Sequence, residues 1–375
     1  MSLEIREVLS KKDMNTFVKF PLSLYKNHPY YVPALVFDDL ATFNPKKNPA
    51  YDFCESICFL AYRNGKIVGR IAGLINHNAN KGWNVKNVRF GWFDAIDDLE
   101  VTEALMDAVS AWGTKKGMEE LTGPLGFTDL DPEGMLIEGY ELLGTLATIY
   151  NYPYYPQHLE KLGFEKEIDW KEYQIGIPEV IPDRYQRMSA IVAQKFELTM
   201  VKEKSLKKMV DRYGEKLFQL INETYNVLYG FSTLTDRQMQ YYIKMYLSFA
   251  RTELISIVVD KEDNVVGLGI TMPSLSKALQ KSKGSLFPFG FIHMLKALKK
   301  NNVVDFYLMG IHPDYQSKGV SAMIFADLYP KFQKNGYRMA ETNPELETNA
   351  KIQALWSDFD PKPVRRRRVF KKKLA

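Results

Sequence analysis

Cysteine is nearly absent from this chain. Its 375 residues contain two, Cys54 and Cys58, too few for a disulfide framework and too few soft ligands for a structural zinc site. They read as two buried thiols. Histidine is scarce as well, at five residues with no HExxH spacing, so no metal is expected. No apolar run approaches the ~18 residues of a membrane span; Leu254–Val259 is among the longest, and Ser256 interrupts it. The opening MSLEIREVLSKKDMN lacks the apolar core of a secretory signal, so the expected setting is the cytoplasm. Low-complexity and disordered architectures are excluded by an ordinary balance of 46% hydrophobic and 25% charged residues. The length exceeds one ordinary core and predicts two domains.

The charge is unevenly placed. The net +5 depends on a C-terminal run with seven basic residues, Arg365–Arg368 and Lys371–Lys373; without them 43 basic residues face 45 acidic ones. A chain-wide nucleic-acid surface is therefore not expected. The run itself reads either as a cationic patch for nucleic acid or membrane, or as a final edge strand whose lysines block stray pairing.

A weak internal repeat organises the chain. Phe59–Ile75 places two β-rich runs around Asn64-Gly65, the strongest short hairpin signal. Leu254–Ile270 repeats strand, polar turn and strand, and Gly267 stands 198 residues after Gly69. Val101–Gly117 and Val320–Gly336 both space apolar residues as a helix and end in a glycine suited to a left-handed cap. Strand-like runs follow both. Each half thus reads as strand, helical segment, hairpin, strand, helix, strand, helix, strand. That order predicts an α/β (α+β layered) fold of two similar units with the boundary near Ile177–Asp183, giving domains 1–178 and 183–375. Ser205–Ala250 reads as mostly helical. Ser274–Lys300, with Gly-Ser-Leu-Phe-Pro-Phe-Gly and a basic helix, reads as an insertion.

One motif carries chemistry. Val303–Met309 reads as a strand, a helix begins near Val320, and between them lies Gln316-Ser317-Lys318-Gly319-Val320-Ser321. Glycine and a small residue at a strand-to-helix turn let the backbone approach a phosphate. The free N–H groups and the dipole of the helix start then favour the anion. The first-half counterpart, Asp97–Thr102, has three acids and no glycine. It reads as a helix start stabilised by its own carboxylates, so only the second half is expected to bind such a ligand.

The turn resembles the CoA-binding motif of the GNAT acyltransferases, Arg/Gln-x-x-Gly-x-Gly/Ala, with Ser321 at the last position. The whole chain is similar to a family of tandem GNAT-like bacterial proteins, through Asn44–Pro49, Gly69–His77, Ile96–Val101, Leu136–Gly139, Tyr150–Tyr155 and Leu286–Gly290. The resemblance implies two tandem GNAT-like units, each a mixed, mostly antiparallel sheet flanked by helices. It also implies acyl transfer, from acetyl-CoA or another acyl-CoA, to the amine of a small molecule or peptide. Met309, Gly310 and Ile311 would lie along the cofactor arm, and Asn349 would begin the following helix beside it. Laying the family's Asn-x-x-Ala-x-x-x-Tyr on Asn349 puts Trp356 where the family has its tyrosine.

Glu341, on the strand after the CoA helix, is the candidate base for an attacking amine; its competing role is a structural carboxylate. Tyr154 and Tyr155 are candidate hydroxyl donors if the acceptor lies near Glu341 and the Tyr150–Tyr155 loop; otherwise they pack a Pro-punctuated loop. Glu138 has the same two readings. Two other classes stay open: an acyl-CoA-binding sensor or scaffold without turnover, and an RNA-associated protein using the basic tail.

Overall fold

The computed structural model describes residues 2–246 and 250–374. In chain order its elements are β1 (Leu3–Glu7), α1 (Lys11–Leu24), α2 (Val36–Thr42), β2 (Cys54–Arg63), β3 (Lys66–Asn76), α3 (His77–Trp83), β4 (Asn87–Ala95), α4 (Leu99–Lys115), β5 (Glu120–Gly123), β6 (Met135–Glu138), α5 (Tyr154–Lys161) and β7 (Glu165–Gly176). There follow α6 (Asp183–Lys195), β8 (Thr199–Met200), α7 (Leu206–Tyr225), α8 (Asp236–Tyr246), β9 (Ile255–Val259), β10 (Val265–Pro273), α9 (Ser276–Ser282), α10 (Gly290–Lys299), β11 (Val303–Ile311), α11 (Val320–Lys334), β12 (Met339–Thr342), β13 (Glu345–Leu346), α12 (Ala350–Leu355) and β14 (Lys362–Lys373). Helices α7 and α8 fill the stretch read as helical after Ser205; its residues 247–249 lie outside the described ones.

The chain forms two compact units. The first comprises Met1–Lys171, Leu275–Leu295 and Val364–Ala375; the second comprises Glu172–Ser274 and Lys296–Pro363. The consecutive expectation, 1–178 and 183–375, differs in three segments: residues 172–178 group with the second unit, and much of the insertion and the final strand group with the first.

In unit 1 the strand order is β1-β2-β3-β4-β5-β14. Strands β1 to β4 are antiparallel, β4 runs parallel to β5 over Asn87–Arg89 and Glu120–Thr122, and β5 is antiparallel to β14. The Asn64-Gly65 hairpin is as expected, with positive φ at both residues. The apolar stripe Val101, Leu105 and Val109 of α4 is buried against Ile71, Val88 and Phe90. Unit 2 repeats the plan in the order β8-β9-β10-β11-β12. Strands β9 to β11 are antiparallel, β11 and β12 are parallel, and Gln174–Gly176 of β7 completes the far side of β12. Here α11 buries Val320, Ile324 and Leu328 against Val258, Val266 and Val304. The ordered repeat is thus a repeat of strand pairing as well as of sequence.

The basic C-terminal run corrects two expectations. It is strand β14, but an interior one, with β5 on one side and β7 on the other. It is also not a free cationic surface. Arg365 and Arg367 are buried and donate to the carbonyls of Leu143 and Ile149. On the other face Arg366 and Arg368 pair with Asp169; farther along the strand Lys371 pairs with Glu167. Alternation along the strand sorts the cations into two paired sets.

Candidate active site

In unit 2 the parallel pairing of β11 with β12 ends at Phe306 and Thr342. Beyond it, Leu308–Ile311 stays paired to β10, and a register shift at Ile270/Thr271 passes over Tyr307. This split leaves Met309, Gly310 and Ile311 on a strand edge that β12 no longer covers. The chain then turns through Pro313–Tyr315 into Gln316–Ser321. Ser317 and Gly319 have φ of 59° and 84°, and a Cβ on Gly319 would fall 3.0 Å from Val192 Cγ2, so both conformation and space call for glycine. Gln316 donates to Ile311 O and accepts from Lys351 Nζ at 2.9 Å. The first N–H of α11 turned inward is that of Ala322, onto Gly319 O. Among the described residues, the N–H groups of Ser317, Gly319, Val320 and Ser321 make no bond. Lys318 stands over Phe196 and Tyr315. The turn therefore presents several donors and two lysines, a donor set that fits a pyrophosphate.

Glu341 lies on β12 and accepts from Gln174 Nε2 at 2.9 Å. Asn349 caps α12, its side chain accepting from Ile352 N. The sequence reading missed Glu345. Burial pushes its carboxyl up to about 8, against the opposing hydrogen bond from Trp356 Nε1 at 2.7 Å. Trp356 is itself buried among Phe306 and Phe325. The Trp356 indole thus spends its only donor on this acid. Tyr225 belongs to the same group of side chains: its hydroxyl donates to Met309 O, and burial, with a smaller contribution from Glu345, pushes it up to about 12. The only sequence signal for Glu345 was its place four residues after Glu341.

Unit 1 has the same split between β4 and β5 but a different turn. Asp98 caps α4 by accepting from Glu100 N, and Arg63 pairs with Asp98 at 2.9 Å and Glu100 at 2.6 Å. The Glu100 N–H is thus met by Asp98, and the acids of the turn oppose a phosphate by like charge. The expected tyrosines sit here. Tyr155 Oη accepts from Ala95 N and lies 3.1 Å from Tyr25 Oη, while Tyr154 donates to Ala95 O at 2.7 Å. Tyr25 in turn donates to Asp94, which Arg70 holds at 2.8 Å. Tyr150 and Tyr155 line a cavity of about 110 Å³ with Arg70, Asp94, Asp39 and Trp92. Glu138, on β6, lies 3.6 Å from Arg366. Cys54 and Cys58 are buried free thiols, Cys54 pushed up to about 12 by burial.

No protein-family profile matches the chain. Protein YghO of Escherichia coli (strain K12) is 27% identical over 393 residues, which cover 99% of this chain and 95% of that protein. The bacterial ceramide synthase of Caulobacter vibrioides is 23% identical over 331 residues, 86% of this chain and 84% of that protein. Among solved structures, a tandem GNAT protein from the clavulanic acid biosynthesis pathway superposes with a TM-score of 0.56 at 11% identity, over 100% of this chain and 99% of that one. The fold is that of the tandem GNAT-like proteins, as the resemblance in sequence implied. No described helix is long and apolar enough to cross a membrane.

Proposed function

We propose that the protein is a cytoplasmic, acyl-CoA-dependent N-acyltransferase that holds its acyl-CoA in unit 2 alone. The observation that carries this reading is the contrast between the two turns: Gln316–Ser321 offers unbonded N–H groups beside a split sheet, whereas Asp97–Thr102 is filled by acids and Arg63. Residues Gln316–Ser321 would hold the pyrophosphate, and Met309–Ile311 the pantetheine arm. Bound acyl-CoA would supply the acyl group as a thioester. Glu345, grouped with Tyr225 and so with the Met309 end of the split, is the group we assign to removing the proton of the acceptor amine; with its carboxyl raised to about 8, the ionised form that acts as base grows as pH rises toward 8. Glu341, held by Gln174, is the alternative base. Similarity to a protein named for making ceramide, an N-acylated lipid, favours a long-chain amine as the first acceptor to test.

The test is thermal unfolding with CoA, acetyl-CoA and long-chain acyl-CoA. A donor at 100 times its Kd should stabilise the fold by ~2.7 kcal/mol, and Gly319→Glu should remove that shift by bulk and charge. Normal CoA binding by Gly319→Glu would sink the assignment of the turn. A non-catalytic acyl-CoA binder is the second reading, favoured by Trp356 at the tyrosine position. It predicts the same shifts and no N-acyl product by mass spectrometry with any amine. Tyr154→Phe and Tyr155→Phe test the first-unit hydroxyls; a ~10²-fold loss of turnover at unchanged CoA affinity would place either on the acceptor.

A further inference from the structure

Between β10 and β11 the chain makes an excursion that the acyl-transfer reading does not use. From Ser274 to Val304 it contains six lysines, one histidine and no aspartate or glutamate. The remainder of the chain then holds 44 Lys and Arg against 45 Asp and Glu, so the positive excess depends on this segment as much as on the C-terminal run. None of the six lysines has an ion-pair partner among the described residues.

The same segment leaves large apolar side chains in water. Phe287 is 78% exposed and Phe289 69%, and Phe291, Ile292 and Leu295 follow on α10. Phe37, at the start of α2, is 54% exposed. These positions are neighbours: Val36 N donates to Gly284 O, and Gln280 Nε2 donates to the carbonyls of Pro29 and Tyr31. The loop is held in shape as well. Phe291 N bonds Leu286 O, and Ser285 Oγ bonds Phe287 O. A Cβ on Gly290 would fall 1.9 Å from Ser285 O, and one on Gly284 2.7 Å from Ala34 O. Folded proteins seldom spend aromatic residues this way, since a contiguous exposed apolar patch has a hydration cost that only a partner removes.

We propose that this surface of unit 1 docks on an anionic lipid bilayer, with Phe287 and Phe289 entering the interface and Lys277, Lys281 and Lys283 lying among acidic headgroups. The charge chooses the occupant. A protein or a second copy of the chain would cover the phenylalanines, but three unpaired lysines in Leu275–Leu295, a stretch without one acid, match a surface of uniform negative charge. Aromatic and leucine side chains with flanking lysines are the composition of segments that lie in the interface rather than cross it. The inference does not depend on acyl transfer, because its readout is binding.

The experiment is co-sedimentation of the full chain with vesicles of phosphatidylcholine alone and with 30% phosphatidylglycerol, in low and high salt. Binding is expected to the acidic vesicles only and to weaken with salt as the charges are screened. Each lysine near the surface contributes about five-fold, so Lys281→Glu with Lys283→Glu should cut partitioning by at least ~20-fold. Phe287→Ser with Phe289→Ser should cut it by more than about ten-fold at unchanged thermal stability, since both side chains stand in solvent. Light scattering is run in parallel. Absence of binding, equal binding to neutral vesicles, indifference to both variants, or a Phe287→Ser/Phe289→Ser change that only converts a dimer to a monomer would each overturn the proposal.

Discussion

At Glu345 burial is set against hydrogen bonds from the Trp356 indole and from Thr342, and burial wins. The consequence is a signed dependence of stability on pH. The group's ordinary value is 4.5 and its folded value about 8. Between the two the unfolded chain has released a proton that the folded chain keeps, so this contribution is complete below about 4.5 and is lost as pH rises through about 8. The slope is ~1.4 kcal/mol per pH unit inside that window. Glu345→Gln should therefore be nearly neutral at pH 5 and stabilising at pH 8.5, measured as the difference in urea midpoints from the parent protein. If Glu345 is also the base, the same variant should lose ~10²-fold or more in kcat while CoA still binds. In unit 1 Arg70 and Asp94 are both buried, and they face each other at 2.8 Å. Arg70→Met or Asp94→Ala alone strands the other charge and should cost about 3–5 kcal/mol, whereas the double variant should cost clearly less than the sum of the two. Urea unfolding of the three variants reads the coupling directly.

Among the elements, the two crossover helices show why a weak repeat survives in glycine. Gly69 lies under α4, where a Cβ would stand 2.8 Å from Leu105 Cδ1, and Gly267 lies under α11, where it would stand 3.0 Å from Val320 Cγ1. Both missing side chains let a helix lie close on its sheet. Gly69→Val should cost about 1–3 kcal/mol by overpacking, seen as a lowered Tm without loss of secondary structure. In β14 the alternation Arg365, Arg367 and Arg366, Arg368 was readable from period two, but its meaning was not. A cation run looks the same in sequence whether it faces solvent, nucleic acid or buried carbonyls. The partners, Leu143, Ile149 and Asp169, lie some two hundred residues away along the chain.

For the molecule as a whole, each unit is completed by a strand out of sequence order. Strand β14 supplies Phe370–Lys373 to β5, and β7 supplies Gln174–Gly176 to β12. A fragment of residues 1–178 therefore lacks the strand that closes β5 and the partners of Asp169. It should show no cooperative thermal transition and should aggregate through the bare edge. The same fragment joined by a flexible linker to residues 362–375 should regain a transition by circular dichroism if that strand is the missing part. Local chemistry settled much of this protein. Alternation, Asn-Gly turns and helical apolar spacing set the elements, their order revealed the repeat, and glycine with small residues marked one turn as fit for an anion and acids marked the other as unfit. Each of those properties acts within about twenty residues, so a sequence can express it. Which strand closes which sheet, which cations are buried, and that Trp356 reaches Glu345 rather than the open split are decided by long-range pairing and burial, which composition and spacing do not encode.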